Sequence, residues 1–313
     1  MLGRNDTGAR YRRVARSRAT SVTSGGAVGA VRRATSKRGS VAEGLEMMLR
    51  LLDLESSGDD RFLARTSSDG PPRLFGGQVA SQSLRAATLT VDADRSAHSF
   101  HAYFLRPGRP GIPLDLDVER TRDGRSFTTR RVTASQEGEP IFLLAASFHS
   151  SEDGDDWQLP GRDDLPGPDG AGGESPFSAF STMSPFEIRP LAGSSAGFPV
   201  LHPFWVRTRD RLPDDPALHL CVIAFMSDMG VVGSARAPGS SLPARFMGAS
   251  LDHAVWFHRP ARADEWLLFE VEPLSNFGSR GLARGSFRAV DGTLVASIAQ
   301  EALLRSTGRI PLP

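Results

Sequence analysis

The sequence predicts an α+β fold of two similar modules in tandem, each a buried helix followed by an antiparallel meander that curls around it. Three observations predict it. Shifted by 153 residues, the chain overlays on itself without a gap: His98–Pro107 (HSFHAYFLRP) lies over Leu251–Pro260 (LDHAVWFHRP), Val118 and Glu119 over Val271 and Glu272, and Ile141–Ser147 over Leu294–Gln300. Each half reads as a strand, then a helical stretch, then segments of period two. Those segments are separated by Asp-Gly and Glu-Gly pairs that favour tight hairpins. One sheet around one helix leaves an open face, and a second module beside it closes that face.

Residues 1–39 are rich in Arg, Ser, Gly and Ala and show no periodicity, so a disordered tail is expected there. Their Arg- and Ser-rich, acid-poor composition is also that of an organellar presequence. Ser40-Val-Ala-Glu43 reads as a capping box, followed by Leu45, Met48, Leu49 and Leu52 on one helical face. Arg61–Ser67 is expected to be a short strand. The run from Leu74 to Thr90 is rich in Ala, Ser, Gly and Gln, a helix that a sheet can approach closely. Strands are expected at His98–Leu105, Leu114–Glu119, Phe127–Ser135 and Pro140–Phe148, completing an N-terminal module over 40–150. Residues 151–184, rich in Asp, Gly, Pro and Ser, read as a loose linker.

The C-terminal module is expected over 185–313. Phe204–Arg209 is its first strand. Asp215 and Pro216 supply a cap and a first-turn proline for a helix reaching about Met229, with Gly230 stopping it. That helix is apolar nearly all round and therefore central. Asp252–His258, Trp266–Glu272, Leu282–Ala289 and Thr293–Leu304 follow as strands.

The net charge of +1 hides an asymmetry. Residues 1–40 hold ten of the 37 basic residues and only Asp6 of the 36 acidic ones. The remainder, with 27 basic and 35 acidic, is acidic, which argues against nucleic acid as a partner. No apolar run is long enough to span a membrane. The single cysteine, Cys221, fits a reducing compartment, and a cytoplasmic location is expected.

Three residues are polar where their surroundings predict apolar ones: Asp228 at the end of the apolar helix, Ser250 before a strand, and Gln300 in an inward-reading strand. Burying such groups is costly unless they are paired or used. Burial and the helix dipole would both raise the pKa of Asp228, suiting a general base for water. By the period of two, Ser250 is expected on the face of Asp252. The repeat counterparts of Ser250 and Gln300 are Ala97 and Ser147, so one working centre per chain is expected.

The motifs Phe75-Gly-Gly-Gln-Val79, His98–Pro107, Arg122-Asp-Gly-Arg-Ser-Phe127, Asp252–Pro260 and Val295–Glu301, taken together, resemble those of bacterial acyl-CoA thioesterase II and its peroxisomal relatives. The resemblance covers roughly 41–305. It implies a double hotdog fold, with two antiparallel sheets each wrapped around a central helix. It also implies hydrolysis of fatty acyl-CoA by a directly activated water, with no metal or other cofactor, and assembly into a homo-oligomer. The catalytic positions it implies are Asp228, Ser250 and Gln300.

Gly77 and Gln78, at the start of the first helix, are expected to bind substrate through free backbone amides. Arg280 and Arg284 are expected to meet the CoA phosphates. Asp252, His253 and His258 invite a metal or triad reading, but the strand period separates them, and structural hydrogen bonding is the expectation. Two alternatives remain: a hotdog enoyl-CoA hydratase or dehydratase, and a non-catalytic acyl-CoA-binding protein. The hydratase wants an Asp/His pair on the helix, and His219 lies on the opposite face from Asp228.

Overall fold

The computed structural model describes residues 41–66, 72–173, 177, 183–191, 202–240 and 246–306. The expected tail over 1–39 and the capping serine lie outside these. After α1 (Val41–Leu52) come a short hairpin, β1 (Glu55–Gly58) and β2 (Arg61–Ala64), and the helix α2 (Gly76–Thr88). Strands β3 (Arg95–Phe104), β4 (Leu114–Asp123), β5 (Phe127–Gln136) and β6 (Glu139–Ser150) complete the first half. The second contains β7 (Phe186–Pro190), β8 (Phe204–Thr208), α3 (Pro216–Met226), α4 (Val231–Ser234) and β9 (Phe246–Ser250). It ends with β10 (Asp252–Phe257), β11 (Leu267–Phe277), β12 (Arg280–Ala289) and β13 (Leu294–Ser306).

The strand periodicity held where one face of a strand is buried: β5 alternates without a break from Thr128 to Gln136. Its turn to β6 uses Glu137 and Gly138, both at positive φ, as a tight hairpin requires. The 153-residue shift carries β4 onto β11 and β5 onto β12 almost end for end. Strands β1, β7 and β9 and the short α4 had not been expected. All are four or five residues long, too short to show a period.

Two separate sheets were expected. Instead the strands form one antiparallel sheet in the order β1-β2-β4-β5-β6-β3-β10-β13-β12-β11-β8-β7, with β9 also on β13. The halves join where β3 meets β10, and there His101 pairs with Ala254, its own counterpart under the repeat. The remaining pairs, such as Asp252 with Tyr103 and Trp256 with Ser99, are related by the same local two-fold. The main hydrophobic core runs through both halves, and a small second cluster gathers Leu191, Trp205 and Leu268.

Residues 151–173 are not the loose linker expected from their composition. They are pinned to the second half by their own polar groups. Leu294 N–H donates to Gln158 Oε1 at 2.8 Å, Arg288 donates to the Leu159 carbonyl at 2.9 Å, and Trp205 Nε1 to that of Pro166 at 3.0 Å.

Helices α2 and α3 pack antiparallel. Ser81 Oγ donates to the Cys221 carbonyl at 2.7 Å, Arg85 reaches Asp215 at 3.5 Å, and Gly77 lies against the end of α3. Asp215 caps α3 by accepting from Ala217 N–H at 3.0 Å. A Cβ on Gly77 would sit 2.3 Å from the Phe225 carbonyl oxygen, so only glycine permits this approach. The positive end of α2 is thereby brought to the negative end of α3.

Candidate active site

Asp228 lies two residues past α3, in the turn that Gly230 closes at φ 75°. It is only 7% exposed. Its Oδ2 accepts from the Gly77 N–H at 3.0 Å, a first-turn amide of α2 with no partner inside its own helix. Burial pushes the Asp228 pKa up to about 6, against the opposing pull of hydrogen bonds from Gln300, Gly77 and Ser250. The α3 dipole alone would have been a poor guide, since the facing end of α2 offsets it.

Ser250 ends β9, and Leu251 is a bulge. Before it Ser250 pairs with Ala302, and beyond it Ala254 pairs with Ala299, so the register slips by one residue. The slip turns Ser250 inward, onto the face of His253 rather than that of Asp252, contrary to the period-of-two expectation. His98, the repeat counterpart of Leu251, sits at the matching slip in β3. Ser250 Oγ lies 3.4 Å from Asp228 Oδ1, and Gln300 Nε2 donates to Ser250 Oγ at 2.8 Å. Gln300 is fully buried. The three residues singled out in the sequence thus meet in space, drawn from a helix end, a bulged strand and the next strand of the sheet.

The other expected site residues fare differently. Gly77 donates to Asp228 rather than facing open space. Gln78 is buried, with its amide turned toward Gln82 at 3.4 Å. Arg280 and Arg284 point away from the site: Ala283 pairs with Gln300 on the inner face, and its neighbours project from the other side. Each makes an exposed ion pair there, Arg280 with Glu301 at 2.9 Å and Arg284 with Glu272 at 2.6 Å. His258 bonds Ser297 at 2.8 Å, Asp252 accepts from Glu301 N–H at 2.6 Å, and His219 accepts from Ala263 N–H at 3.0 Å. Those three are structural. Among the described residues no group of three or more His, Cys, Asp or Glu converges as metal ligands would.

A cavity of about 360 Å³ opens beside Ser250, within the usual size range of small-molecule sites. Its lining includes Gly76, Phe104, Val232 and Leu251, with Arg73 and Arg106 among its polar residues. Both halves contribute to it. Two features of the site went unseen in the sequence: the cavity wall that Leu74, Phe104 and Ile141 supply from the first half, and the pairing of Ser227 with His253 at 2.7 Å. The adjacent polar pair Ser227-Asp228 at the end of an apolar helix was the available signal for the latter.

Residues 64–149 match the family described as acyl-CoA thioesterase N-terminal domain, and residues 180–303 the one described as acyl-CoA thioesterase. The human protein named acyl-coenzyme A thioesterase 8 is 35% identical over 283 residues, covering 83% of this chain and 89% of its own. Acyl-CoA thioesterase 2 of Haemophilus influenzae is 33% identical over 284 residues, covering 83% of this chain and 98% of its own. Among solved structures, acyl-CoA thioesterase II TesB2 from Mycobacterium marinum superposes with a TM-score of 0.72 at 39% identity, over 83% of this chain and 99% of that one. A protein with a hot dog fold from Alicyclobacillus acidocaldarius superposes with a TM-score of 0.67 at 18% identity, over 83% and 98%, a likeness of fold. With both family descriptions matched in chain order, and relatives above 30% identical along most of their length, the chain belongs to the acyl-CoA thioesterase family.

Proposed function

We propose that the protein hydrolyses fatty acyl-CoA to a free fatty acid and CoA at the Asp228–Ser250–Gln300 cluster. The reading rests above all on one observation: a buried carboxylate, hydrogen-bonded into a polar cluster beside a cavity, where burial pushes its pKa up to about 6. Near neutral pH such a group is mostly ionised yet poorly solvated, as a general base should be.

A water held between Asp228 and Ser250 would lose a proton to Asp228 as its oxygen attacks the thioester carbonyl carbon. Collapse of the tetrahedral intermediate breaks the carbon–sulfur bond, and the proton on Asp228 passes to the leaving thiolate. Gln300 donates an N–H toward the reacting oxygens, and the first turn of α2, reaching the cavity through Gly76, lends its positive end to the oxyanion. Ser250 is not the nucleophile in this scheme: no G-x-S-x-G elbow surrounds it, and its hydroxyl orients the water that Asp228 activates. Arg73 and Arg106, on the cavity lining, replace Arg280 and Arg284 as the proposed contacts for CoA phosphates.

We further infer a double hotdog, with modules over 40–150 and 185–313. The paired counterparts His101 and Ala254, and the helix packed inside each half, support it. Homo-oligomeric assembly is proposed on the exposed aromatic groups of the seam, Tyr103 and Trp256. A cytoplasmic location is inferred from the single buried cysteine. Among the described residues no helix is long and apolar enough to cross a membrane.

The direct experiment is a thiol assay of CoA release from acyl-CoAs of graded length, with wild type beside Asp228→Ala. Hydrolysis by wild type and a loss of about 10²-fold or more in the variant is expected. Equal rates in both would refute the role of Asp228. No hydrolysis at any chain length, with binding retained, would establish a binding protein instead.

A further inference from the structure

The site is backed by a second polar pair. His253 is fully buried and faces Gln300 across the sheet: the register that sets Ala254 opposite Ala299 places His253 opposite Gln300. The bulge at Leu251 makes this possible, because it leaves Ser250 and His253 on the same inner face, one on each side of Gln300. His253 Nε2 lies 2.7 Å from the hydroxyl of Ser227, which is also fully buried and directly precedes Asp228. A ring of five side chains results: Ser227, His253, Gln300, Ser250 and Asp228, closed by the peptide bond between Ser227 and Asp228.

Two buried polar atoms in this ring lack a partner at strict hydrogen-bonding geometry, His253 Nδ1 and Gln300 Oε1. They are chemically complementary, one able to carry a proton and the other able only to accept. Leaving both unpaired in a buried site is costly. Burial holds the imidazole neutral, its pKa lowered to about 4, with Gln300 acting on it as a hydrogen-bond partner. A neutral ring carries one proton. The single proton of the Ser227 hydroxyl has two acceptors in reach, His253 Nε2 and the Ala224 carbonyl at 2.8 Å, and donated to Nε2 it leaves the ring proton on Nδ1.

The orientation of Gln300 matters because an amide has two ends of nearly equal size and opposite character. With its oxygen turned toward Asp228, it would set an acceptor against a carboxylate. With its NH₂ turned that way, it donates into the site. We propose that His253, anchored on Ser227, is a positioning residue for Gln300: its Nδ1–H holds Gln300 Oε1, so that the amide NH₂ faces Ser250 and Asp228. This rests on the reading of Gln300 as part of the catalytic cluster. It explains why a histidine with no access to the cavity lies in the ring, and it couples the end of α3 to β13 through two neighbouring residues rather than one.

The test combines kinetics with a double-mutant cycle on the full chain. His253→Leu fills the space without a donor and is expected to lower kcat about tenfold or more, with KM changed by less than about twofold. Adding Gln300→Ala to it should cost little beyond either single change, because the histidine acts through the amide. His253→Asn restores an N–H near the Nδ1 position and is expected to recover kcat to within about threefold of wild type. Ser227→Ala, a smaller change, should lower kcat in the same direction.

A folded His253→Leu with wild-type kcat overturns the proposal, and so do losses from His253→Leu and Gln300→Ala that multiply. If His253→Leu does not fold, Ser227→Ala decides, and an unchanged kcat there overturns it. Wild-type turnover by Gln300→Ala alone would instead remove Gln300 from the catalytic cluster, and this proposal with it.

Discussion

The amide of Gly77 donates to the carboxylate of Asp228 across 151 residues of chain, at 3.0 Å. This bond ties the first turn of α2 to the end of α3. It also means that the Asp228 carboxylate is tuned by both halves of the molecule. Replacing Gly77 by Ala is the sharpest probe, since a Cβ there meets the Phe225 carbonyl oxygen at 2.3 Å, and backbone cannot step aside as a flexible side chain would. Gly77→Ala is expected to cost about 1–3 kcal/mol in stability. Thermal unfolding measures that cost, and CoA release should fall in the fraction that remains folded.

The pH dependence follows from the raised pKa of Asp228. A base must be deprotonated to act, so kcat/KM is expected to rise with pH through about 6 and to level off above it. Below pH 5 each unit of acidification should cut the rate about tenfold. Rates across pH 4.5–8 check this, and a flat profile would argue against Asp228 as the base.

The same shift has a thermodynamic sign. The folded pKa lies above the usual 3.8, so the unfolded chain ionises this carboxyl first. Between those two values the folded state binds more protons, and rising pH therefore removes stability. Above pH 6 the deficit is about 3 kcal/mol. Asp228→Asn, which keeps an acceptor for the Gly77 N–H, is expected to be more stable than wild type at pH 7. Below about pH 4 the gain should vanish. Denaturant unfolding at the two pH values tests it.

Chain-length preference should respond to the cavity wall. Val232, on the short helix α4, lines it together with Gly76. Val232→Trp fills part of about 360 Å³ and is expected to lower kcat/KM for long acyl-CoAs far more than for short ones. A uniform loss across chain lengths would show that the acyl group lies elsewhere.

Much of this architecture was legible before any coordinates. Asp228, Ser250 and Gln300 stood out because each interrupts an apolar pattern, and the structure brings them together. The repeat was legible because β4 and β5 recur as β11 and β12. The face of Ser250 was misread because the backbone breaks its own alternation there: a bulge is a property of register between strands, and nothing in the residue types around Leu251 announces it. Arg280 and Arg284 were placed wrongly for a different reason. Their parity against Gln300 depends on the β12–β13 pairing, which the sequence alone did not fix. The 151–173 segment was misjudged because its anchors are single polar groups, and composition carries no trace of them.

Pairing each half's own counterpart residues at the seam has a bearing on divisibility. Asp228 and its hydroxyl and amide partners come from the second half, whereas Gly77, Phe104 and the first wall of the cavity come from the first. Neither piece alone holds a complete centre. Recovery of hydrolysis on mixing two separately produced fragments, cut in the 151–184 region, would therefore report correct docking of β3 on β10, turning the enzyme into a sensor of its own assembly.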